Sequence, residues 1–560
     1  MASIYDKSSL VLIPSGTKAG KVYSQKPVSG DGDFTFTRSS AATRVNASGN
    51  IEKETQNLSL YSNTFSSWTA ASGGSVTSGQ AGYDGTSDAW LLTSGAATYS
   101  RIERTISHTG LYTISVYAKA GTLGWLSFEN SGISSDESYF DLTTGTLGSL
   151  GANVISANIE SIGSGWYRCS ATLSGTSATQ RIYPAVGNGD LNSAQGNIYI
   201  QDFQFEQGLV ARDYIETTTS AVYGGITDNV PRLDYTDSSC PALLLEPQRT
   251  NLITQSEYFN SSYWIKGGLP VFSVSDNAGI SPEGVSNATR FVAASAQQST
   301  RLYTSVTWTA VPYTISLYVK NNGGTNTNLR FSYYDGSGQY FSPTFTLTDE
   351  WQRIEYTFTP TASSGGFWLV NTPTAGLNLD LLVFAAQLEE GSYATSYIPT
   401  YGSSVTRVVD SCLDGGDSNV FDNDTAVWFM DIERIGTDSA IIGDSLSLRD
   451  NSNVRQITLW FDAPTKQIRF RDGKNSFTTI GSSGGAISTP DNTRIKIALK
   501  IDGTTLKVFA DGVQKGSNYT RPTAFDITQM DMDGKGYKIR NIKFLNSTLT
   551  DQELADLTTL

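Results

Sequence analysis

An internal duplication constrains this chain more than any other feature, because a recurring segment must build the same unit twice. Asn57-Leu58, followed by Phe65 and Trp68, is echoed by Asn251-Leu252, followed by Phe259 and Trp264. Tyr112-Thr113-Ile114-Ser115-Val116-Tyr117-Ala118-Lys119 recurs as Tyr313-Thr314-Ile315-Ser316-Leu317-Tyr318-Val319-Lys320. Trp166-Tyr167-Arg168 pairs with Trp351-Gln352-Arg353, and Gln204-Phe205-Glu206-Gln207-Gly208, with Tyr214-Ile215 beyond it, matches Gln387-Leu388-Glu389-Glu390-Gly391 with Tyr397-Ile398. The matches keep their order while their offset drifts a little, as it does when surface loops change length and strands do not.

Inside each copy the matched runs alternate apolar and polar residues, so Tyr112, Ile114 and Val116 face one way and Thr113, Ser115 and Tyr117 the other. Glycine-rich breaks such as Asn321-Asn322-Gly323-Gly324 and Asp335-Gly336-Ser337-Gly338 supply the positive φ of tight turns. Only 16% of the residues are charged, and Gly reaches 53 and Tyr 28, a make-up suited to sandwiches with many turns. The expected fold class is all-β and multi-domain: two duplicated jelly-roll β-sandwiches, 57–217 and 251–405, and a third sandwich over 406–560. The third region does not match the repeat but reads as strands, with Asp502-Gly503 and Asp511-Gly512 at turns. Thr550-Asp551-Gln552-Glu553 forms a capping box for a terminal helix. Residues 218–250, broken by Pro231, Pro241 and Pro247, are expected as an extended connector. Residues 1–56, rich in Lys and Arg, are expected as an N-terminal attachment arm; a solvated arm covering the first sandwich is the alternative.

The formal charge of -14 argues against nucleic acid as a partner, since that affinity rests on clustered Lys and Arg. One histidine, His108, leaves little room for Ser-His-Asp chemistry or His-rich metal sites, and its neighbours Gly110 and Ser107 suggest an exposed turn. Cys169, Cys240 and Cys412 lie far apart without CxxC spacing and are expected as free thiols. The apolar run Leu10-Val11-Leu12-Ile13 is shorter than the roughly 7–15 residues of a signal-peptide core, so no export signal is expected. No run approaches the ~18 apolar residues of a membrane helix, and no membrane insertion is expected.

The connector Pro241-Ala242-Leu243-Leu244-Leu245-Glu246-Pro247-Gln248-Arg249-Thr250-Asn251-Leu252 resembles a segment found in virion structural proteins of tailed bacteriophages, particularly fibres and appendages. Phe36-Thr37-Arg38-Ser39-Ser40 and Tyr397-Ile398-Pro399-Thr400, running on to Val405-Thr406-Arg407, point the same way. The duplicated units are similar to carbohydrate-binding jelly rolls. The last region is similar to laminin-G or concanavalin A-like folds, whose ends often read like Leu549-Thr550-Asp551-Gln552-Glu553-Leu554. The resemblance implies a head or tail fibre or decorating appendage that adheres multivalently to host-surface or environmental glycans. Its implied partners are other virion proteins, through the arm, and further copies of itself in a homotrimer. It also implies a virion location, with assembly in the host cytoplasm.

Sugars stack on exposed aromatic rings. Trp166 and Trp351 recur at matching positions and are expected in the core, whereas Trp125, Trp308, Tyr333 and Tyr334 occur in one copy only and are the glycan-binding candidates. No cofactor is required. Calcium often stabilises jelly rolls of the resembled type, which makes Asp202 a candidate ligand, with Ala385 at the matching place in the second copy. Asp431 and Glu433 resemble part of the acidic strand of lectin-fold glucanases, but Phe429 stands where the first Glu of that pattern belongs, so the chain is expected not to be an enzyme. A purely architectural virion spacer and a glycan-depolymerising tailspike are the alternatives.

Overall fold

The computed structural model describes residues 3–133, 136–192, 195–268, 273–296, 300–373, 375–436, 443–462, 465–473, 479–480, 487–521 and 523–560. Among them the chain is β-strand apart from connections, a 3-10 turn at Phe65–Ser67 and two short helices, Ile4–Lys7 and Asp551–Thr558. The fold is all-β, built as three sandwiches with separate apolar cores.

The two copies share their strand pairing. In the first, Arg101–Ala120 lies between Trp166–Ala185 and Gly196–Gln207. In the second, Tyr313–Asn321 lies between Gln352–Phe358 and Leu377–Glu390. Even the irregularities recur: register shifts between Ser115 and Tyr117 in one copy and between Ser316 and Tyr318 in the other. Opposite each shift the partner strand carries a non-glycine residue at positive φ, Asp202 at 55° and Ala385 at 57°. These are β-bulges, and they are inherited with the repeat.

The copies differ at the corner where a strand passes from one sheet to the other. In the first, Gly110 and Gly175 face each other across the ladder at φ of 120° and 150°, so both long strands bend without breaking. In the second, the corners carry Pro312 and Pro360, which cannot donate to a ladder. The strands there divide, into Arg301–Thr307 with Tyr313–Asn321 and into Gln352–Phe358 with Ser364–Asn371. One continuous sheet in the first copy thus becomes separate six- and five-stranded sheets in the second.

The third sandwich departs from the expected domain boundaries. Ser8–Leu12 pairs with Tyr537–Leu545, and Phe34–Thr37 pairs with Ser411–Gly415. From the connector, Ala242–Leu245 also joins Tyr537–Leu545. Leu10, Leu12, Phe34, Phe36, Leu243 and Leu245 are buried in one core with Trp428, Ile497 and Phe544. Within the expected arm and connector, Ser8–Leu12, Phe34–Thr37 and Ala242–Leu245 are thus strands of the third sandwich. The alternation in Phe34–Thr37, with both Phe buried and both Thr exposed, places apolar residues that need a sheet to pack on, and the C-terminal strands supply it. Segments before the first copy, between the copies and after the second all contribute to the third sandwich.

In the C-terminal region the expected hairpin forms, with Thr493–Asp502 pairing Thr505–Ala510 around Gly503. The terminal helix carries the expected capping box, with Thr550 and Glu553 each bonded to the other's backbone N–H, and it buries Leu554.

Candidate functional site

The residues singled out by the phage-protein resemblance converge on a buried ion network between the sandwiches. Arg38, Arg232 and Arg407 have fully buried side chains. Arg38 Nη1 donates to Asp410 Oδ1 at 3.1 Å, and Arg232 bonds the other oxygen of the same carboxylate. Arg232 Nη1 lies 2.5 Å and Arg407 Nη1 3.0 Å from Glu246 Oε2. The Ser396 N–H and hydroxyl donate to the same carboxylate at 2.8 and 2.6 Å. The guanidiniums hold Glu246 below the usual carboxylate range against the opposing effect of burial. A second network joins Lys53 Nζ to Glu257 at 2.7 Å, Glu283 at 2.8 Å and the Tyr401 hydroxyl at 2.6 Å. Arg212, at the end of the first sandwich, bonds Glu283 of the second. These motifs therefore serve the junction, where paired charges take the place of an apolar interface.

The junction also encloses a cavity of about 450 Å³ lined in part by Lys53, Glu54, Gln207 and Tyr401. Burial, reinforced by Asp228, pushes the Glu54 carboxyl up to about 7.

Two of the four predicted glycan aromatics lie in the core. Trp308 is 1% exposed, donates its indole N–H to the Tyr334 carbonyl at 2.9 Å and packs edge-on against Tyr313 and Phe358. Tyr333 is also buried, stacked between Tyr340 and Phe358. Presence in one copy only is no sign of exposure: Trp308 fills the corner that Pro312 opens in the second copy, where the first has a continuous strand. Trp125 is half-buried, its ring edge over Gly148, where an added Cβ would come within 2.7 Å of it. Tyr334 is 44% exposed.

Tyr334 belongs to an aromatic surface that periodicity did not single out. The outer face of the six-stranded sheet carries one continuous cross-strand row. Ile265 opposes Tyr303, Tyr303 opposes Trp368, Trp368 opposes Ser332, and Ser332 opposes Phe341. Ile265 and Phe341 are 43% and 42% exposed, and Tyr303 and Trp368 are half-buried. The next row carries Ser305, Gly366, Tyr334 and Gln339. On the other side, Arg301 and Arg330 flank Asn371. Arg301 lies 5.0 Å over Trp368 and 5.3 Å over Tyr303, and Arg330 lies 3.8 Å over Phe341. The Ser332 hydroxyl, buried in the middle of the row, has no hydrogen-bond partner.

The first copy closes the same face with charge. Ser127 matches Ser332 in opposing two aromatics, Tyr183 and Tyr139. Around it, Arg101 Nε and Arg181 Nε share Glu103 at 2.7 and 3.2 Å, and Arg181 Nη1 meets Glu129 at 2.7 Å. Tyr183 spends its hydroxyl on Glu129. Tyr334 stands where the first copy has Glu129, so loss of that carboxylate opens the face. Strand alternation marks these positions as outward, but only the register shows that they form one row.

The remaining candidates have structural partners. Asp202, at its bulge, accepts the Tyr83 hydroxyl at 2.8 Å, and burial, aided by Asp88 and Asp84, pushes it up to about 6. Asp84 and Asp88 are themselves held by the Gln201 amide at 3.3 and 2.8 Å. No group of three or more His, Cys, Asp or Glu residues that could hold a metal ion occurs among the described residues. Asp431 is bridged by Arg494 at 2.7 and 2.6 Å, and Glu433 pairs with Arg540 at 2.6 Å. His108 lies not in a turn but within the strand Arg101–Ala120, half-buried against Tyr112 and Phe205. Burial lowers its pKa. Trp166 is in the core as expected, whereas its counterpart Trp351 is only half-buried, at the margin of a small cluster with Lys320 over its ring; Cys169 and Cys412 are buried free thiols while Cys240 is exposed.

No family model and no curated protein matches the sequence. Among solved structures, the chain is similar to the CBM40 of the Ruminococcus gnavus IT-sialidase bound to alpha2,3 sialyllactose, at 12% identity and a TM-score of 0.20 over 26% of this chain and 93% of that one. It is similar to the CBM22-1-CBM22-2 tandem domain of Paenibacillus barcinonensis Xyn10C, at 14% identity and a TM-score of 0.21 over 60% of this chain and 97% of that one. A third likeness is to domain 4 of AbnA, a GH43 extracellular arabinanase from Geobacillus stearothermophilus, in complex with arabinotriose, at 16% identity and a TM-score of 0.23 over 30% and 81% of the two chains.

Proposed function

We propose that the chain is a non-catalytic glycan-binding protein whose binding surface is the aromatic face of the second sandwich. The observation that carries this reading is the aromatic row from Ile265 through Tyr303, Trp368 and Ser332 to Phe341, exposed at its two ends and half-buried at Tyr303 and Trp368. A sugar ring sets its C–H face on such a plane while its hydroxyls reach polar side chains at the margin, here the exposed Gln339. Binding without hydrolysis is supported by Asp431 and Glu433, whose carboxylates are engaged by arginines rather than facing each other across a cleft. Intact protein applied to a glycan array tests the reading. Retention of glycan that is lost with Trp368→Ala is expected, and release of reducing ends from a bound polymer would replace adhesin with depolymerase.

The wider setting rests on the connector and its companion motifs, which resemble tailed-phage appendage proteins. In that setting the chain is a virion fibre or head decoration, and self-association into trimers multiplies weak sugar contacts through effective concentration. Antibody-labelled electron microscopy of particles, with sedimentation of the purified protein, tests location and oligomeric state.

A further inference from the structure

We infer that the outer face of the second sandwich takes acidic polysaccharide, with uronate carboxylates bound by Arg301 and Arg330; this assignment rests on the reading of that face as a glycan site. The whole chain is acidic, at -14, yet no Asp or Glu occupies an outward position in the three rows of this face. Asp335, on the turn after Tyr334, already accepts from Ser337, Gly338 and Thr361.

The two arginines stand apart from others in the chain. Arg290 and Arg494 each grip a carboxylate with two donors, and in the first copy Arg101 and Arg181 are neutralised by Glu103 and Glu129 on the equivalent face. Arg301 makes no hydrogen bond or ion pair with a described residue, and its Nε is buried without a partner. Arg330 donates only Nε, to Asn371 Oδ1 at 2.6 Å, which leaves both terminal nitrogens uncommitted. Each guanidinium lies over an aromatic ring, at 5.0 Å for Arg301 on Trp368 and 3.8 Å for Arg330 on Phe341, which restricts where its charge sits. Flanking Asn371 in one row, their backbones lie about 10 Å apart, two strand spacings. A pyranose lying flat on this face carries an equatorial carboxylate at its ring edge, and the row of arginines lies beside the aromatic row. Arginine forms bidentate pairs with carboxylates, and a sulfated polymer in the test separates that choice from a tetrahedral anion.

The test compares polygalacturonate, its fully methyl-esterified form, dextran sulfate and dextran by calorimetry with the intact chain, alongside an array of uronate-containing and neutral glycans. Esterification removes the charge and keeps the sugar backbone, so the comparison does not depend on any variant folding. The assignment predicts binding of uronate polymers at least tenfold tighter than of esterified or neutral ones. It also predicts that raised salt weakens this binding, and that Arg301→Gln with Arg330→Gln removes the preference while the thermal melt is kept. Equal affinity for charged and esterified polymer, or an unchanged preference in the Gln variant, overturns the assignment and leaves the glycan reading standing. Preference for dextran sulfate overturns the choice of carboxylate. Failure of the folded protein to hold any glycan on the array overturns both readings.

Discussion

At the scale of single residues, exposure rather than residue type separates contact from core, and a pair of substitutions measures this. Phe341 leaves 42% of its surface to solvent, so Phe341→Ala removes little packing and is expected to change unfolding free energy by no more than about 0.5 kcal/mol. If glycan stacks there, the same change weakens binding by roughly tenfold, about 1.4 kcal/mol. Trp308 gives the opposite result. Its ring is enclosed by Tyr313, Tyr333 and Phe358, so Trp308→Ala is expected to destabilise by about 3–5 kcal/mol in urea titration. Any loss of binding should then follow unfolding alone. Both residues are aromatic and both belong to the second copy; the side of the sheet each faces decides which measurement responds.

At the scale of elements, the corner glycines show how one ancestral strand pairing was kept in two forms. Gly110 holds φ at 120°, and a Cβ there would come within 2.4 Å of the Tyr401 carbonyl oxygen, which accepts from Leu111 at 3.1 Å. Gly110→Ala therefore meets both strained backbone and a carbonyl that cannot yield without losing a bond. A loss of about 2–4 kcal/mol in denaturant midpoint analysis is expected, with weakened contact between the first sandwich and the junction. The repeat itself was legible, since its strands carry their own alternation and their order survived duplication. Three things were not legible. The strands Ser8–Leu12 and Phe34–Thr37 are short, and their partners, Tyr537–Leu545 and Ser411–Gly415, lie hundreds of positions away in sequence, so nothing local announces their pairing. The ion network was visible only as phage-like motifs, because charge in a proline-rich connector reads as solvated until the other half of each pair is located. The aromatic row depends on the register of five strands, which periodicity leaves open; of its members and neighbours only Tyr334 was singled out, from its place before a glycine turn.

At the scale of the molecule, the third sandwich is closed by both ends of the chain, and this changes what truncation reports. Deleting residues 1–37 strips Leu10, Leu12, Val22, Phe34 and Phe36 from its core and leaves Asp410 without Arg38 if the cut is extended by one residue. The shortened protein is expected to lose cooperative unfolding of the third sandwich and to become protease-sensitive there, rather than behave as an intact body without an anchor. Titration of the whole chain follows from the buried carboxyls. Glu246 and Glu283, paired with arginine or lysine, have lowered pKa values, so their stabilisation is complete above their unfolded pKa near 4.5 and fades as pH falls through the lower folded value. Asp202 and Asp276 at about 6, and Glu54 and Asp136 at about 7, are raised by burial. For these the folded state holds the proton more tightly than the unfolded chain, so stability falls as pH climbs from about 4 to 7 and is level beyond. The two groups act in opposite directions on either side of about pH 4.5–5. The melting temperature should accordingly peak in that mildly acidic window, below neutrality, and decline on both sides when scanned from pH 3 to 8. Substituting Asp202→Asn, which keeps a residue tolerant of φ 55°, should flatten part of the decline toward pH 7 and leave the acid limb in place. An unchanged neutral limb would show that the Asp202 carboxyl ionises freely in the folded protein.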